Sequence, residues 1–202
     1  MGADLRWHSA AAERNKGPIA VELQRLLPAQ GLLLEIACGT GQHAAHCAAV
    51  MPAWRWQPTD ADPGALASVG AWCEGLPNVL PPLALDVMAG VWPGAPAAVD
   101  AIFCANMIHI APWPVCEGLM SGAARHLAPQ RLLVMYGPYV EAGVATAPSN
   151  LAFDADLRRR NPAWGLRHLD QVLELARGVG LELHQRLAMP SNTMLLALKR
   201  QV

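Results

Sequence analysis

From Leu32 onward, short apolar runs closed by glycine or proline alternate with longer segments in which apolar and polar residues mix at helical spacing. A short apolar run bounded by turn residues is the signature of a strand buried on both faces. Leu32 to Ala37 is the first such run, and it stops at Gly39-Thr-Gly41. Gln42 to Met51 then reads as an alanine-rich helix, Trp54 to Thr59 as a second strand and Pro63 to Glu74 as the helix after it. Leu83 to Leu85 is a short third strand ending in Asp86. Ala101 to Ala105 is a fourth, followed by a helix near Val115 to Leu127, and Arg131 to Tyr136 is a fifth. Strands alternating with helices in this way predict an α/β fold around a mostly parallel sheet.

The alternation breaks between Gly137 and Arg167. This stretch holds three prolines (Pro138, Pro148 and Pro162) and the run Arg158-Arg159-Arg160. A connection of this length inside a domain predicts a lid or binding loop, and the arginine run reads as a solvated helix face. A helix over Leu169 to Val179 precedes two closing strands, Leu181 to Leu187 and Thr193 to Lys199, joined by Met189-Pro-Ser-Asn192. So short a join forces an antiparallel pair, because a parallel crossover needs a dozen residues or more. The expected sheet is therefore seven-stranded, mostly parallel, with a C-terminal antiparallel hairpin. It differs from the symmetric six-strand dinucleotide fold.

Composition narrows the class. The 202 residues suit one domain, 53% are hydrophobic and 15% charged, so the chain carries material for a core. A net charge of −1 argues against a protein that grips many phosphates, which disfavours nucleic acid as a partner. No apolar stretch is long enough to span a bilayer, and Met1 to Arg14 lacks the apolar centre of a signal peptide. The five cysteines (Cys38, Cys47, Cys73, Cys104 and Cys116) are odd in number and lack CxxC spacing. They read as reduced thiols of a cytoplasmic protein. His43 and His46 lack a third ligand, so no metal site is expected.

The turn after the first strand carries the chemistry. Gly39 and Gly41 put bare backbone at the carboxyl edge of the sheet, where a ligand can approach without meeting a Cβ. Ala37 stands where a third glycine is common, and Glu35 precedes the turn within the strand. A nicotinamide site would favour glycine at position 44, which is alanine here. Asp60, about twenty residues beyond the loop, sits where an acid accepts bonds from ribose hydroxyls; Asp62 is the alternative. Asp86, after the third strand, is a further acid at a strand end. The bland alternative is that these acids cap helices.

After the fourth strand comes Asn106-Met-Ile-His109-Ile-Ala-Pro-Trp113. Asn106 is a candidate for cofactor or substrate contact. His109 is a candidate general base, its ordinary pKa being near neutral, or a histidine that holds the loop. Trp113 walls a pocket or packs in the core. Tyr136 and Tyr139 flank Gly137-Pro138, and with His109 they form the candidate catalytic set. Arg14 and Asn15 are candidates to fold back as part of an N-terminal flap over residues 1–16. Asn150, Arg167 and Asn192 are candidate substrate readers, a guanidinium suiting a carboxylate or phosphate.

Several segments together resemble a known family. They are Glu13-Arg-Asn-Lys-Gly-Pro-Ile19, Gly39-Thr-Gly-Gln-His43, Trp56-Gln-Pro-Thr-Asp60, Asn106-Met-Ile-His-Ile110, Tyr136-Gly-Pro-Tyr139, Ser149-Asn150 with Phe153-Asp154, Asn161-Pro-Ala-Trp-Gly165 and Met189-Pro-Ser-Asn192. In order and spacing they look like the methyltransferase-like 26 family, from about residue 10 to 200. The resemblance implies a Rossmann-like class I methyltransferase fold with S-adenosyl-L-methionine as cofactor. It implies a cofactor site at Glu35, Ala37, Gly39, Gly41, His43, Asp60, Asp62, Asp86 and Asn106. It does not imply a substrate. The sequence departs from that pattern at Cys38, where serine is common, and at Thr193, where a second asparagine is usual.

The expected function is methyl transfer to a small molecule by a single domain, residues 1–202, with residues 137–167 as a substrate lid. Two alternatives use the same cofactor. One is cyclisation or lyase chemistry that releases methylthioadenosine. The other is a non-catalytic partner protein, for which the seven tryptophans offer an interface, a homodimer included.

Overall fold

In the computed structural model, residues 4–202 are described; the first three residues of the expected flap lie outside them. The chain runs α1 (Ala10–Leu26), β1 (Gly31–Ile36), α2 (Gln42–Val50), β2 (Trp54–Asp60), α3 (Pro63–Trp72), β3 (Leu83–Ala84) and β4 (Val99–Ala105). It continues through α4 (Trp113–His126), β5 (Leu127–Gly137), β6 (Tyr139–Val140), α5 (Pro148–Arg160), β7 (Arg167–His168), α6 (Leu169–Gly178), β8 (Leu181–Met189) and β9 (Thr193–Arg200). A seven-stranded sheet has the order β3-β2-β1-β4-β5-β9-β8, and β6 pairs separately with β7. This is the mostly parallel sheet with a closing antiparallel hairpin that the strand pattern predicts. Two compact units make up the chain: residues up to Asp86 with Trp92–Cys104, and Val87–Val91 with Ala105–Val202.

In the first unit, β1 is flanked in parallel by β2 (Leu33 beside Trp56) and by β4 (Leu33 beside Ala101). Leu33, Leu34, Ile36, Trp56, Ile102 and Phe103 are buried, as strands covered on both faces require. The described part of the expected flap leads into a helix. Ser9 caps α1 by accepting from Ala12 N–H, and the helix continues through Pro18. A proline there forfeits one backbone hydrogen bond, but Ile19, Ala20 and Leu23 bury one face and hold the helix together.

In the second unit, β5 runs antiparallel to β9 with Tyr136 opposite Leu195, and β8–β9 form the terminal hairpin, Met189 opposite Thr193. Leu169, Val172 and Ala176 give α6 its buried stripe. The stretch from Gly137 to Arg167 contains regular structure. Its centre is α5, with Pro148 in the first turn and the ion pairs Asp154–Arg158 (2.8 Å) and Asp156–Arg159 (2.5 Å) along its surface. Acid-before-base pairs at three- and four-residue spacing support a helix whose apolar periodicity is weak. The three arginines are exposed, as a solvated helix face predicts, and Arg160 lies over the Trp164 ring at 5.2 Å.

Candidate functional site

The turn after β1 is held by three separate attachments. Cys38 N–H donates to Thr59 O (3.0 Å), and Gly39 N–H donates to Asp60 Oδ2 (2.8 Å). On the other side Ser68 Oγ donates to Thr40 O (2.8 Å) and accepts from Trp7 N–H (2.7 Å). Ala37, Gly39 and Gly41 all have positive φ (53°, 56° and 88°). The two glycines serve different ends. A Cβ on Gly41 would stand 2.7 Å from Val69 Cα, so Gly41 allows the loop to press against α3. A Cβ on Gly39 would meet nothing within 4 Å. Gly39 thus presents bare backbone to open space, the property a ligand cradle needs. Ala37 takes the left-handed conformation at some cost in strain, since an L side chain disfavours it.

The acids divide their work. Asp60 Oδ2 holds the loop through Gly39 while Oδ1 accepts from Asp62 N–H (2.9 Å). Each carboxylate oxygen keeps further acceptor capacity beyond one such bond. Asp62 is the N-cap of α3, its Oδ1 taking Gly64 N–H at 2.8 Å. Of the two candidate ribose partners, Asp62 is therefore engaged as a helix cap and Asp60 faces the loop. Asp86 is exposed just past β3, and Leu85 N–H donates to Asp60 O (2.9 Å), which registers the two strand ends.

Glu35 points into the interior. It is 1% exposed and its Oε2 accepts from the Trp56 indole N–H at 2.6 Å. Burial pushes its carboxyl up to about 8, against the pull of the Trp56 bond and helped by the nearby Asp60 charge. Trp56 is thus the residue that orients Glu35; its place in the adjacent strand carried no such signal in the sequence.

His43 is buried on α2 with Nε2 2.7 Å from Asn15 Oδ1, and burial lowers its pKa to about 4. Asn15 therefore ties α1 to α2. Glu13 does likewise by accepting from Gln42 Nε2 (2.9 Å), and Gln42 Oε1 accepts from Ser9 N–H (2.6 Å). Arg14 is exposed.

In the second unit, Asn106 adopts a left-handed conformation (φ 60°) and its N–H donates to Tyr136 O (2.8 Å). A single 3-10 turn, Met107–His109, follows and buries His109 completely. Neither imidazole nitrogen has a hydrogen-bond partner among the described residues. The ring stands edge-on to Tyr139 with centroids 5.2 Å apart. Burial, reinforced by the Arg167 charge, lowers its pKa to about 3. His109 is thus a neutral imidazole and a much weaker base than an ordinary histidine. Tyr136 and Tyr139 are both buried, and Tyr136 Oη lies 2.9 Å from Thr193 Oγ1. The Thr193 hydroxyl donates to Pro190 O (2.8 Å), so with its one hydrogen spent there it accepts from Tyr136.

Arg167 is committed to the backbone. Its guanidinium donates to Ile108 O (2.8 Å), Ala111 O (2.5 Å) and Ala163 O (3.0 Å), and lies over the Trp113 ring at 5.8 Å. It braces the loop around His109 with three of its five N–H donors. Asn150 and Asn192 come together, Asn150 Nδ2 donating to Asn192 O at 2.8 Å.

A family described as a protein of unknown function, DUF938, matches residues 6–200. Among solved structures the chain is similar to human N-acetylserotonin methyltransferase in complex with SAM (TM-score 0.79, 12% identity, 96% of this chain and 54% of that one). It is also similar to an O-methyltransferase family 2 protein from Planctomyces limnophilus in complex with apigenin (TM-score 0.74, 19% identity, 94% and 60%). A third is a putative O-methyltransferase from Nostoc punctiforme (TM-score 0.78, 15% identity, 93% and 56%). At these identities the likeness is one of fold, and the chain spans 54–60% of the length of these three.

Proposed function

Taking as premise that the chain belongs to the DUF938 family, we propose that it is an S-adenosylmethionine-dependent methyltransferase acting on a small molecule. The observation that carries this reading is the loop after β1. Gly39 turns its N–H to Asp60 and its open face outward, on the strand-end edge where open α/β sheets bind their ligands. The resemblance to the methyltransferase-like 26 proteins and the fold shared with O-methyltransferases support the same assignment.

The residues present fit the cofactor. Asp60 is the acceptor for ribose hydroxyls, Asp86 faces the adenine side, and the Ala37–Gly41 backbone takes the amino-acid end. When bound, the cofactor supplies a methyl group already activated by its sulfonium. The protein's task is then chiefly alignment and exclusion of water. His109, Tyr136 and Tyr139 are the acceptor-side candidates. A histidine with pKa near 3 accepts a proton weakly, so the reading places more weight on positioning than on strong base catalysis. The five cysteines are buried and none is in a disulfide among the described residues, which favours a reducing compartment such as the cytoplasm.

The test is calorimetric titration of the purified chain with S-adenosylmethionine, followed by mass spectrometry of the spent cofactor. Binding is expected in the parent and lost in Gly39→Arg and Asp60→Ala. No heat at millimolar cofactor sinks the reading. Methylthioadenosine in place of adenosylhomocysteine moves it to the cyclisation or lyase alternative.

A further inference from the structure

Within the second unit, β6, the start of α5 and the β8–β9 turn border a half-open cavity of about 240 Å³. Segments far apart in sequence meet on it: Tyr139, Asn150, Arg186, Asn192 and Thr193 all line its wall.

Its backbone is strained where it is lined. Ser191 and Asn192 are consecutive non-glycine residues with φ of 63° and 56°. Such conformations persist where the surroundings over-determine them and gather at ligand sites. Here the over-determination is visible: Asn150, 8% exposed, donates to Asn192 O and pins the turn, while Asn192 Nδ2 donates to Ser149 Oγ (3.3 Å). The bond to Asn192 O uses one N–H of the Asn150 amide. A second N–H and the carbonyl oxygen remain for a ligand.

Its charge is already neutralised. Arg186 and Glu141 form an ion pair on the wall, Nη2 to Oε2 at 2.5 Å. A carboxylate entering the cavity would confront Glu141, and an ammonium would confront Arg186. Either gains one favourable contact at the expense of an existing pair. A neutral group carrying both a donor and an acceptor meets no such conflict.

We propose that this cavity binds a small neutral molecule bearing an amide or an equivalent donor–acceptor pair, read by Asn150 and the Asn192 turn, and that the Arg186–Glu141 pair rejects charged analogues.

Three probes of one shape and different charge test it: benzamide, benzoate and benzylammonium. Met189 and Met194 line the cavity, so their methyl resonances in protein labelled with ¹³C-methyl methionine report entry. Benzamide is expected to shift both resonances and to bind about tenfold more tightly than either charged probe, and Asn150→Leu is expected to remove that preference. Ala188→Phe, on the cavity wall at an exposed position, is expected to abolish the shifts without altering cofactor titration. The proposal is overturned if benzamide leaves both resonances unmoved, if a charged probe binds as tightly, or if the shifts survive in Ala188→Phe.

Discussion

The His109 imidazole lies directly over the bare Cα of Gly137: a Cβ there would stand 2.4 Å from Nε2 and 2.8 Å from Cδ2. Glycine at this position is what lets a fully buried histidine sit beside the end of β5. Gly137→Ala is therefore expected to destabilise the fold by roughly 1–3 kcal/mol through overpacking. Urea unfolding measures it, and the cost should shrink in a His109→Ala background, where the obstructing ring is gone. An equal cost in both backgrounds contradicts the contact.

Stability should fall toward both acid and alkali, for opposite reasons. His109 has its pKa lowered from 6.5 to about 3, so protons bind the unfolded chain first. Its contribution is complete above pH 6.5 and is lost as pH drops toward 3. Glu35 has its pKa raised from 4.5 to about 8, so its contribution is complete below pH 4.5 and is lost as pH rises through 8. Unfolding free energies across that range should lose part of their acid slope in His109→Gln, buried His43 keeping the rest, and part of their alkaline slope in Glu35→Gln. Unchanged slopes would mean that neither group is buried as described.

Gly39 and Gly41 should separate binding from stability. Gly41→Ala drives a Cβ into the Val69 backbone and should cost roughly 2–4 kcal/mol, combining overpacking with left-handed strain. Gly39→Ala carries only the strain, roughly 1–2 kcal/mol. Yet it places a methyl on the open face and should weaken cofactor binding more than it lowers the melting temperature. Thermal unfolding beside calorimetry distinguishes the two, and a Gly39→Ala protein that binds the cofactor normally contradicts the cradle.

Arg167→Lys should not be conservative. A lysine cannot span Ile108 O, Ala111 O and Ala163 O in the planar arrangement that the guanidinium holds. The expected loss is roughly 1–3 kcal/mol for the bonds given up. Faster amide hydrogen exchange should appear at His109 and Ile110, whose N–H groups close the turn. Exchange that is unaltered there would show that Arg167 does not brace the loop.

Much of the first unit is written locally. The apolar run to Ile36, the glycines that end it and Asp60 at the end of the next strand lie within single strand–turn steps, and burial on both faces leaves a plain mark on such runs. The hairpin was equally legible, because a short join permits only one direction. The helices α1 and α5 were not. Pro18 argues against the first, and the second draws support from surface ion pairs and one packed face rather than from a strong apolar stripe. The candidate site divides in the same way. Sequence placed Gly39, Asp60 and Asn106 at strand ends, since those positions follow from the strands themselves. Only the tertiary structure decided that Trp56 holds Glu35, that Arg167 bonds three backbone carbonyls, that His109 is sealed against Gly137, and that Arg186 meets Glu141 beside Asn150. Apart from the Arg167 bond to Ala163 O, these are contacts between residues tens of positions apart. Their partners are chosen by how the elements pack, and burial then sets the proton affinities that no residue type carries by itself.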